Sequence, residues 1–485
     1  MTTLRAAIGP FLIAGSTVGA AWLLIWGFSF GGRFAALFFA TCAVVMGWAR
    51  IRDLEKFAFI ALGACFSIGI SFHLTEWEGT MRAKFGGGFL LTLTESWILV
   101  LLACWFFRCL RSGVGVHLQA KVLWPAYVML PFALQAGLRT IEDPVTGIWM
   151  FWRFLLAIGM VLYLTNNLRP KEDYRLLAWT ISAVVLFQAL VGFGQEITGG
   201  ALGLGFFGGE RNLTTIKGTI ELSRMVGTVG VPNRYASFMG IFFIFPFAIA
   251  LSSSRGRARL FALFIAVAAF VALMGSKSRG AWLSFLVTYP LAMYPFLRAR
   301  MTRSRALIVF GWMSTLGMAV ALSLPGVWLR LTTEDTGSAE GRLYMAQIAT
   351  NIIQDNPIAG IGFNNYTLLF HEYDDTMGAH SFTFKQIVHN GFLSTAAEYG
   401  LPTMILLGLL WFLFLRRTLH WRLQGYEVHR MLAFLVPWAL LNRTIQSLYY
   451  VGNPLNMLPI WYLLGLGLAL QNLCEKEDAL KETPA

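Results

Sequence analysis

Residues 260–297 read LFALFIAVAAFVALMGSKSRGAWLSFLVTYPLAMYPFL. Two apolar runs, 260–275 and 281–297, each come close to the ~20 residues that a helix needs to cross a hydrocarbon core, and only five residues join them. So short a connection forces the two runs antiparallel through one layer. Lys277 and Arg279 mark the point where the chain re-enters water before turning back.

Similar runs recur outward in both directions, near 7–30, 34–49, 57–74, 89–107, 122–138, 145–166, 176–197, 234–252, 306–324, 402–415, 431–450 and 455–473. With 56% hydrophobic and 13% charged residues and a mean hydropathy of +0.61, the 485-residue chain has more apolar surface than a soluble fold could bury. In lipid the backbone must satisfy its own polar groups, which selects helices here. The expectation is an all-α polytopic membrane protein with about 12–14 transmembrane helices. The first run leads at once into a second and is read as a helix, not as a cleaved leader.

A net charge of +13 would suggest nucleic acid in a soluble chain. With the N-terminus in the cytoplasm, however, 23 of the 38 Lys and Arg fall on the cytoplasmic side, 13 on the other, and Arg153 and Arg443 inside spans. This is the positive-inside pattern, and it places a membrane, not nucleic acid, beside the basic residues. The five cysteines fall in spans or at their cytoplasmic ends and imply neither a disulfide nor a metal site.

The chain divides into N-terminal helices (1–170), central helices (171–324) with an outer loop at 198–233, a large outer loop (325–390), and C-terminal helices with a short tail (391–485). In the large loop Leu343, Ala346, Ile348, Ile352 and Ile353 recur at helical spacing after Gly341-Arg342 and stop at Asp355-Asn356-Pro357, predicting about three turns of helix against the membrane face. Gly360-Ile361-Gly362 and Asn364-Asn365 predict a turn.

Lys217, Arg224, Arg234, Lys277, Arg279, Arg330, Arg342 and Lys385 all belong to outer segments. Interfacial anchoring would explain any one of them. Together they suit an anion at the membrane surface, a diphosphate above all, since guanidinium forks bind its oxygens bidentately. His371, His380 and His389 lie in or at the end of the same loop. His389, beside Asn390 at a helix mouth, could take a proton from an attacking hydroxyl as a neutral imidazole. Asp374-Asp375 could hold a divalent metal on a sugar diphosphate, although adjacent carboxylates in a polar loop usually read as a solvated pair. Glu95, Arg153 and Arg443 lie inside spans and need partners.

Three stretches, GTVGVPNRYASF (227–238), GSKSRGAW (275–282), and GRLYMAQIATNIIQDNPIAGIGFNNY (341–366) with HNGFLSTAAEYGLP (389–402), resemble in order and spacing the O-antigen ligase and polymerase superfamily of bacterial membrane glycan transferases. The resemblance covers about residues 170–470. It implies an inverting GT-C-type glycosyltransferase in the bacterial inner membrane, with its active site on the periplasmic side. Such an enzyme moves a glycan from an undecaprenyl-diphosphate carrier to an acceptor hydroxyl without metal or cofactor.

The resemblance assigns catalysis to Arg279, Arg342 and His389. Lys277, Arg234, Asn233, Asn390, Arg224 and His380 are assigned to substrate binding. The acceptor is open: lipid A core for a ligase, a lipid-linked repeat unit for a polymerase, or protein for an O-oligosaccharyltransferase. A chain-length regulator is a further partner to consider. A flippase or exporter of lipid-linked sugars is the non-enzymatic alternative, and it calls for a charged cavity within the membrane.

Overall fold

Apolar runs bounded by charges become helices whose ends are sorted by ion pairs. The computed structural model describes residues 53–67, 71–73, 90–141, 144–198, 202, 212–216, 220–252, 256–298, 311, 315–316, 318–319, 338–376, 387–420, 425–449 and 453–482. The spans expected at 7–30 and 34–49, most of that at 306–324, and residues Lys217, Arg330, His380 and Lys385 lie outside the described residues.

In chain order the helices are α1 (Leu54–Cys65), α2 (Leu93–Ser112), α3 (Ala120–Leu138), α4 (Pro144–Asn166), α5 (Lys171–Thr198), α6 (Pro232–Phe242), α7 (Ile244–Ser252), α8 (Gly256–Gly275), α9 (Arg279–Arg298), α10 (Ser338–Asp355), α11 (Tyr366–Leu369), α12 (Gly391–Tyr399), α13 (Leu401–His420), α14 (Val428–Ser447) and α15 (Leu458–Glu482). Two short antiparallel hairpins interrupt them, β1 (Ser71–His73) with β2 (Leu90–Thr92), and β3 (Asn212–Ile216) with β4 (Ile220–Arg224). Among the described residues six segments are long and apolar enough to cross a membrane: α2, α4, α5, the α6–α7 pair, α8 and α13. The chain is an all-α, multi-pass membrane protein.

The α6–α7 pair is apolar on every side and buried almost throughout, as a helix with protein all round it must be. It breaks at Phe243, three residues before Pro246, whose missing N–H leaves the Phe242 carbonyl without its donor. α14 packs against this pair and against α5, α9, α13 and α15, so it lies at the centre of the bundle.

At one end of the bundle, Lys56 meets Asp173 at 2.6 Å, Arg169 meets Glu55 at 3.1 Å, Arg417 meets Glu475 at 2.9 Å, and Arg430 meets Asp478 at 2.7 Å. These pairs tie the start of α1 to that of α5, the end of α13 to that of α15, and the start of α14 to the end of α15. The opposite end carries β4, the 276–278 turn, α10 and α12. Of the intramembrane charges, Arg153 forms an ion pair with Glu95, which also closes a capping box with Thr92 at the start of α2. Arg443 donates to Ser447 Oγ at 3.3 Å and lies 2.8 Å from Met457 Sδ.

α10 starts at Ser338, earlier than the sequence stripe implies, and its inward face differs from that stripe. Met345, Ile348, Ala349 and Ile352 form a small core with Ile361, Tyr366, Phe370, Val388 and Ala397, while Leu343 is 71% exposed. The returning segment 357–370 selects that face, and the Tyr366 hydroxyl donates to the Met345 carbonyl at 2.8 Å. The turn around 360–365 is a clamp: Ile361 and Gly362 N–H donate to the Ala397 and Glu398 carbonyls at 2.9 and 3.0 Å, Phe363 N–H to the Ala136 carbonyl at 2.9 Å, and Asn365 Nδ2 to the Arg139 carbonyl at 2.7 Å. It bolts α10 to both α12 and α3.

Gly400 closes the clamp with φ +87°, and a Cβ there would overlap the Ile358 carbonyl. Gly400→Ala is therefore expected to destabilise the protein by more than ~1 kcal/mol. Thermal unfolding in detergent checks this, with Gly408→Ala, which has open space around it, as the control.

Candidate functional site

The site is built from the SKSR turn outward. α8 ends at Gly275, where the Met225 side chain passes so closely that a Cβ would overlap Met225 Sδ, and Met225 N–H donates to the Gly275 carbonyl at 3.2 Å. Lys277 then takes φ +55°, a left-handed conformation unusual for a residue with a side chain. Ser276 Oγ donates to the Leu273 carbonyl at 2.6 Å and accepts from Ser278 N–H at 3.3 Å, which fixes the turn from within. Arg279 follows as the first residue of α9, at a helix N-terminus, where unpaired amides favour an anion. Gly280 lies against Tyr449 at the end of α14.

Two of the cations expected to bind substrate are engaged with this scaffold. Arg224 donates through Nε to the Ser276 carbonyl at 2.8 Å and through Nη2 to Asn233 Oδ1 at 3.2 Å. Lys277 Nζ lies 3.1 Å from Glu196 Oε1, with the lysine side chain only 12% exposed. Arg234 is exposed in the first turn of α6. Behind them the 226–231 loop plugs into the bundle through two buried glutamines. Gln188 Oε1 accepts from Thr228 N–H at 3.0 Å, Gln195 Oε1 from Gly227 N–H at 2.9 Å, and Gln195 Nε2 donates to the Gly227 carbonyl at 2.9 Å. Neither glutamine nor Glu196 stands out in the sequence, because no motif surrounds them.

On the other side of the same bundle end, α10 packs on α12, so the charge of Arg342 acts on His389. Burial holds the imidazole pKa below its ordinary 6.5, the Arg342 charge pushes it the same way, and a hydrogen bond with the Ile387 backbone opposes them. His389 Nδ1 is buried with no hydrogen-bond partner among the described residues. Asn390 is the N-cap of α12: its Oδ1 accepts from Phe392 and Leu393 N–H at 3.0 and 3.1 Å, which fixes the backbone that carries His389. The two halves are joined through Asn453, beyond α14, whose Oδ1 accepts from Thr395 Oγ1 of α12 at 3.1 Å.

Glu398, also on α12, is fully buried and accepts from Asn364 N–H at 3.1 Å. Burial pushes its carboxyl up to about 8 against that hydrogen bond. Because the folded pKa is raised, the folded protein binds a proton that the unfolded chain releases from about pH 4.5 upward. Stability through this group is therefore full at low pH and declines as pH rises toward about 8. Glu398→Gln is expected to match the parent's unfolding temperature at pH 5 and exceed it at pH 8.5.

Asp374 and Asp375 are used within the loop, accepting from Thr376 N–H at 3.0 Å and Asn351 Nδ2 at 2.8 Å. Glu427, His429 and Glu477, at the other end of the bundle, bring three ligand atoms within 4.8 Å of one another. Arg430 already lies 2.9 Å from Glu477 and 3.8 Å from Glu427, so a guanidinium supplies the positive charge there.

With the turn, Arg342 and His389 in place, their common segment can be compared with known proteins. Residues 264–408 match the O-antigen ligase family model. The matched segment takes in the C-terminal part of α8, the SKSR turn, α9, α10, the 360–365 clamp, His389-Asn390 and α12. No curated protein matches the chain. The O-antigen ligase match supports the superfamily that also includes the polymerases, and with it glycan transfer of the ligase or polymerase type.

Proposed function

We propose that the chain transfers a glycan from an undecaprenyl-diphosphate carrier to an acceptor hydroxyl at the periplasmic face of the inner membrane, acting as an O-antigen ligase with lipid A core as acceptor. The observation that supports this best is the packing of α10, which carries Arg342, on α12, which His389-Asn390 leads into, at the bundle end where Arg279 opens α9.

In this reading His389 accepts the proton of the acceptor hydroxyl as its oxygen attacks the anomeric carbon. The bond from that carbon to the diphosphate oxygen breaks, and its electron pair leaves with the diphosphate. Arg279 and Arg342 stabilise the charge developing there, fixed in place and partly shielded from water. Single displacement inverts the anomeric centre. Arg224 and Asn233 hold the turn that presents Arg279, Lys277 is anchored to Glu196, and Asn390 aims His389. No residue in this scheme is a metal ligand.

A polymerase, which passes the growing chain to a lipid-linked repeat unit, uses the same donor chemistry. Purified protein in lipid, given an undecaprenyl-diphosphate oligosaccharide with and without lipid A core, separates the readings. Product only with the core supports the ligase, and a ladder of longer lipid-linked chains without the core replaces it by the polymerase. Glycosylated protein as sole product moves the assignment to an O-oligosaccharyltransferase. Translocation without any new glycosidic bond overturns the enzyme reading.

A further inference from the structure

The bundle end opposite the candidate site holds a cavity of about 330 Å³ that plays no part in the scheme above, within the ~300–1,000 Å³ usual for small-ligand sites. Its walls come from the N-terminal turns of α5, α8 and α14 and the C-terminal turn of α7. Both signs of charge line it, with Lys171, Glu172 and Arg175 interleaved along the start of α5 and Glu427 just before α14, and Trp179, Ser252 and His429 complete the wall. Lys171 and Glu427 are 3.6 Å apart and each is about half exposed. A pair so loose and so wet is worth little, so a ligand that satisfied both partners would separate them at small cost.

Outside the cavity the surface turns apolar. Trp179 stacks on Phe261 with ring centroids 6.3 Å apart, and Leu176, Leu260, Phe261 and Phe264 are all substantially exposed around the stack. This lining is balanced in charge and polar at the bundle end, and it continues into apolar surface along the spans.

We propose that the cavity binds the headgroup of a zwitterionic phosphoethanolamine lipid, with its phosphate against Lys171 and Arg175 and its ammonium against Glu427 and Glu172. The N-terminus of α5, which begins at Lys171, adds amide donors on the phosphate side. An anionic headgroup could place its phosphate against Lys171 and Arg175 but would leave Glu172 and Glu427 without a cation of its own. A choline headgroup carries the positive charge but no N–H with which to pair the carboxylates. The acyl chains would run along the Trp179–Phe261 stack. This site is independent of the glycan-transfer reading.

The test titrates the full chain, purified in detergent, with dioleoyl phosphatidylethanolamine, phosphatidylcholine and phosphatidylglycerol, following bound lipid by native mass spectrometry and unfolding temperature by thermal shift. The ethanolamine lipid is expected to bind about tenfold more tightly than either of the others and to raise the unfolding temperature most. Lys171→Ala with Arg175→Ala should weaken ethanolamine-lipid binding about tenfold, and Glu427→Gln should shrink its advantage over both of the other lipids. If the double variant fails to fold, Arg175→Gln, at an exposed position on α5, must still weaken ethanolamine-lipid binding. Equal binding of the three lipids, or tightest binding of the glycerol lipid, overturns the proposal. Displacement of the lipid by inorganic phosphate alone assigns the cavity to free phosphate and overturns it equally.

Discussion

His389→Ala is expected to lower glycan transfer by about 10²–10⁴-fold, the range for removing a positioned general base, while leaving the protein folded and inserted. The pH profile makes this more specific than a loss of activity. Burial and Arg342 together hold the imidazole pKa below 6.5, so the base is neutral at pH 7 and is lost only as pH falls through a midpoint below 6.5. The acid limb of kcat/KM in the parent enzyme should therefore lie at lower pH than an ordinary histidine would give. Removing the neighbouring cation must move it: Arg342→Gln is expected to shift the acid limb upward in whatever activity remains. A limb that stays in place would separate the two residues and sink the pairing. Asn390→Ala offers the contrasting case. It removes an N-cap worth about 1 kcal/mol, so the loss should appear in the unfolding temperature together with a smaller fall in rate.

The part of this site that was legible in the sequence is the part made of strong local signals. Charges between apolar runs located the SKSR turn, and the HN pair before an apolar stretch located the start of α12, because both depend on neighbours along the chain. What the charges do could not be read the same way. Lys277 and Arg224 are outer cations like Arg279 in one dimension. In three, one is paired with Glu196 and the other spans the Ser276 carbonyl and Asn233. Those partners are 81, 52 and 9 residues away, a separation that no periodicity encodes.

The same limit applies to α10. Its apolar residues allow two overlapping faces, and only the returning 357–370 segment selects Met345 and Ala349 over Leu343. Gly360-Ile361-Gly362 and Asn364-Asn365 were legible as a turn, but not as the clamp that joins α3, α10 and α12, since the carbonyls of Ala136 and Arg139 lie more than two hundred residues earlier. Glu95 and Arg153 needed partners by the cost of charge in a membrane, and they prove to be each other's.

Replacing either Arg279 or Arg342 by alanine is expected to cost about 10²–10³-fold in kcat, the range for deleting one fixed donor aimed at developing negative charge. Lysine at each position tests what kind of contact is lost. It keeps the charge and much of the length but not the planar fork, so a diphosphate gripped bidentately should leave the lysine variants well short of the parent rate. Full recovery by lysine would mean that the position supplies only field.

The partition between kcat and KM carries the rest. A guanidinium that binds the resting lipid diphosphate and the departing one equally would raise KM and spare kcat, whereas one matched to the leaving group lowers kcat. Arg224→Lys should behave differently from both. Its guanidinium reaches the Ser276 carbonyl through Nε and Asn233 through Nη2, and a single ammonium cannot span those acceptors. The turn should then lose rigidity, lowering the unfolding temperature and the rate together. A transporter of lipid-linked sugars would show none of this separation, because no bond breaks for Arg279 or Arg342 to assist. The leaving group is what distinguishes a fork at the N-terminus of α9 from an interfacial anchor, and it is the rate of bond breaking, more than binding, that these substitutions should change.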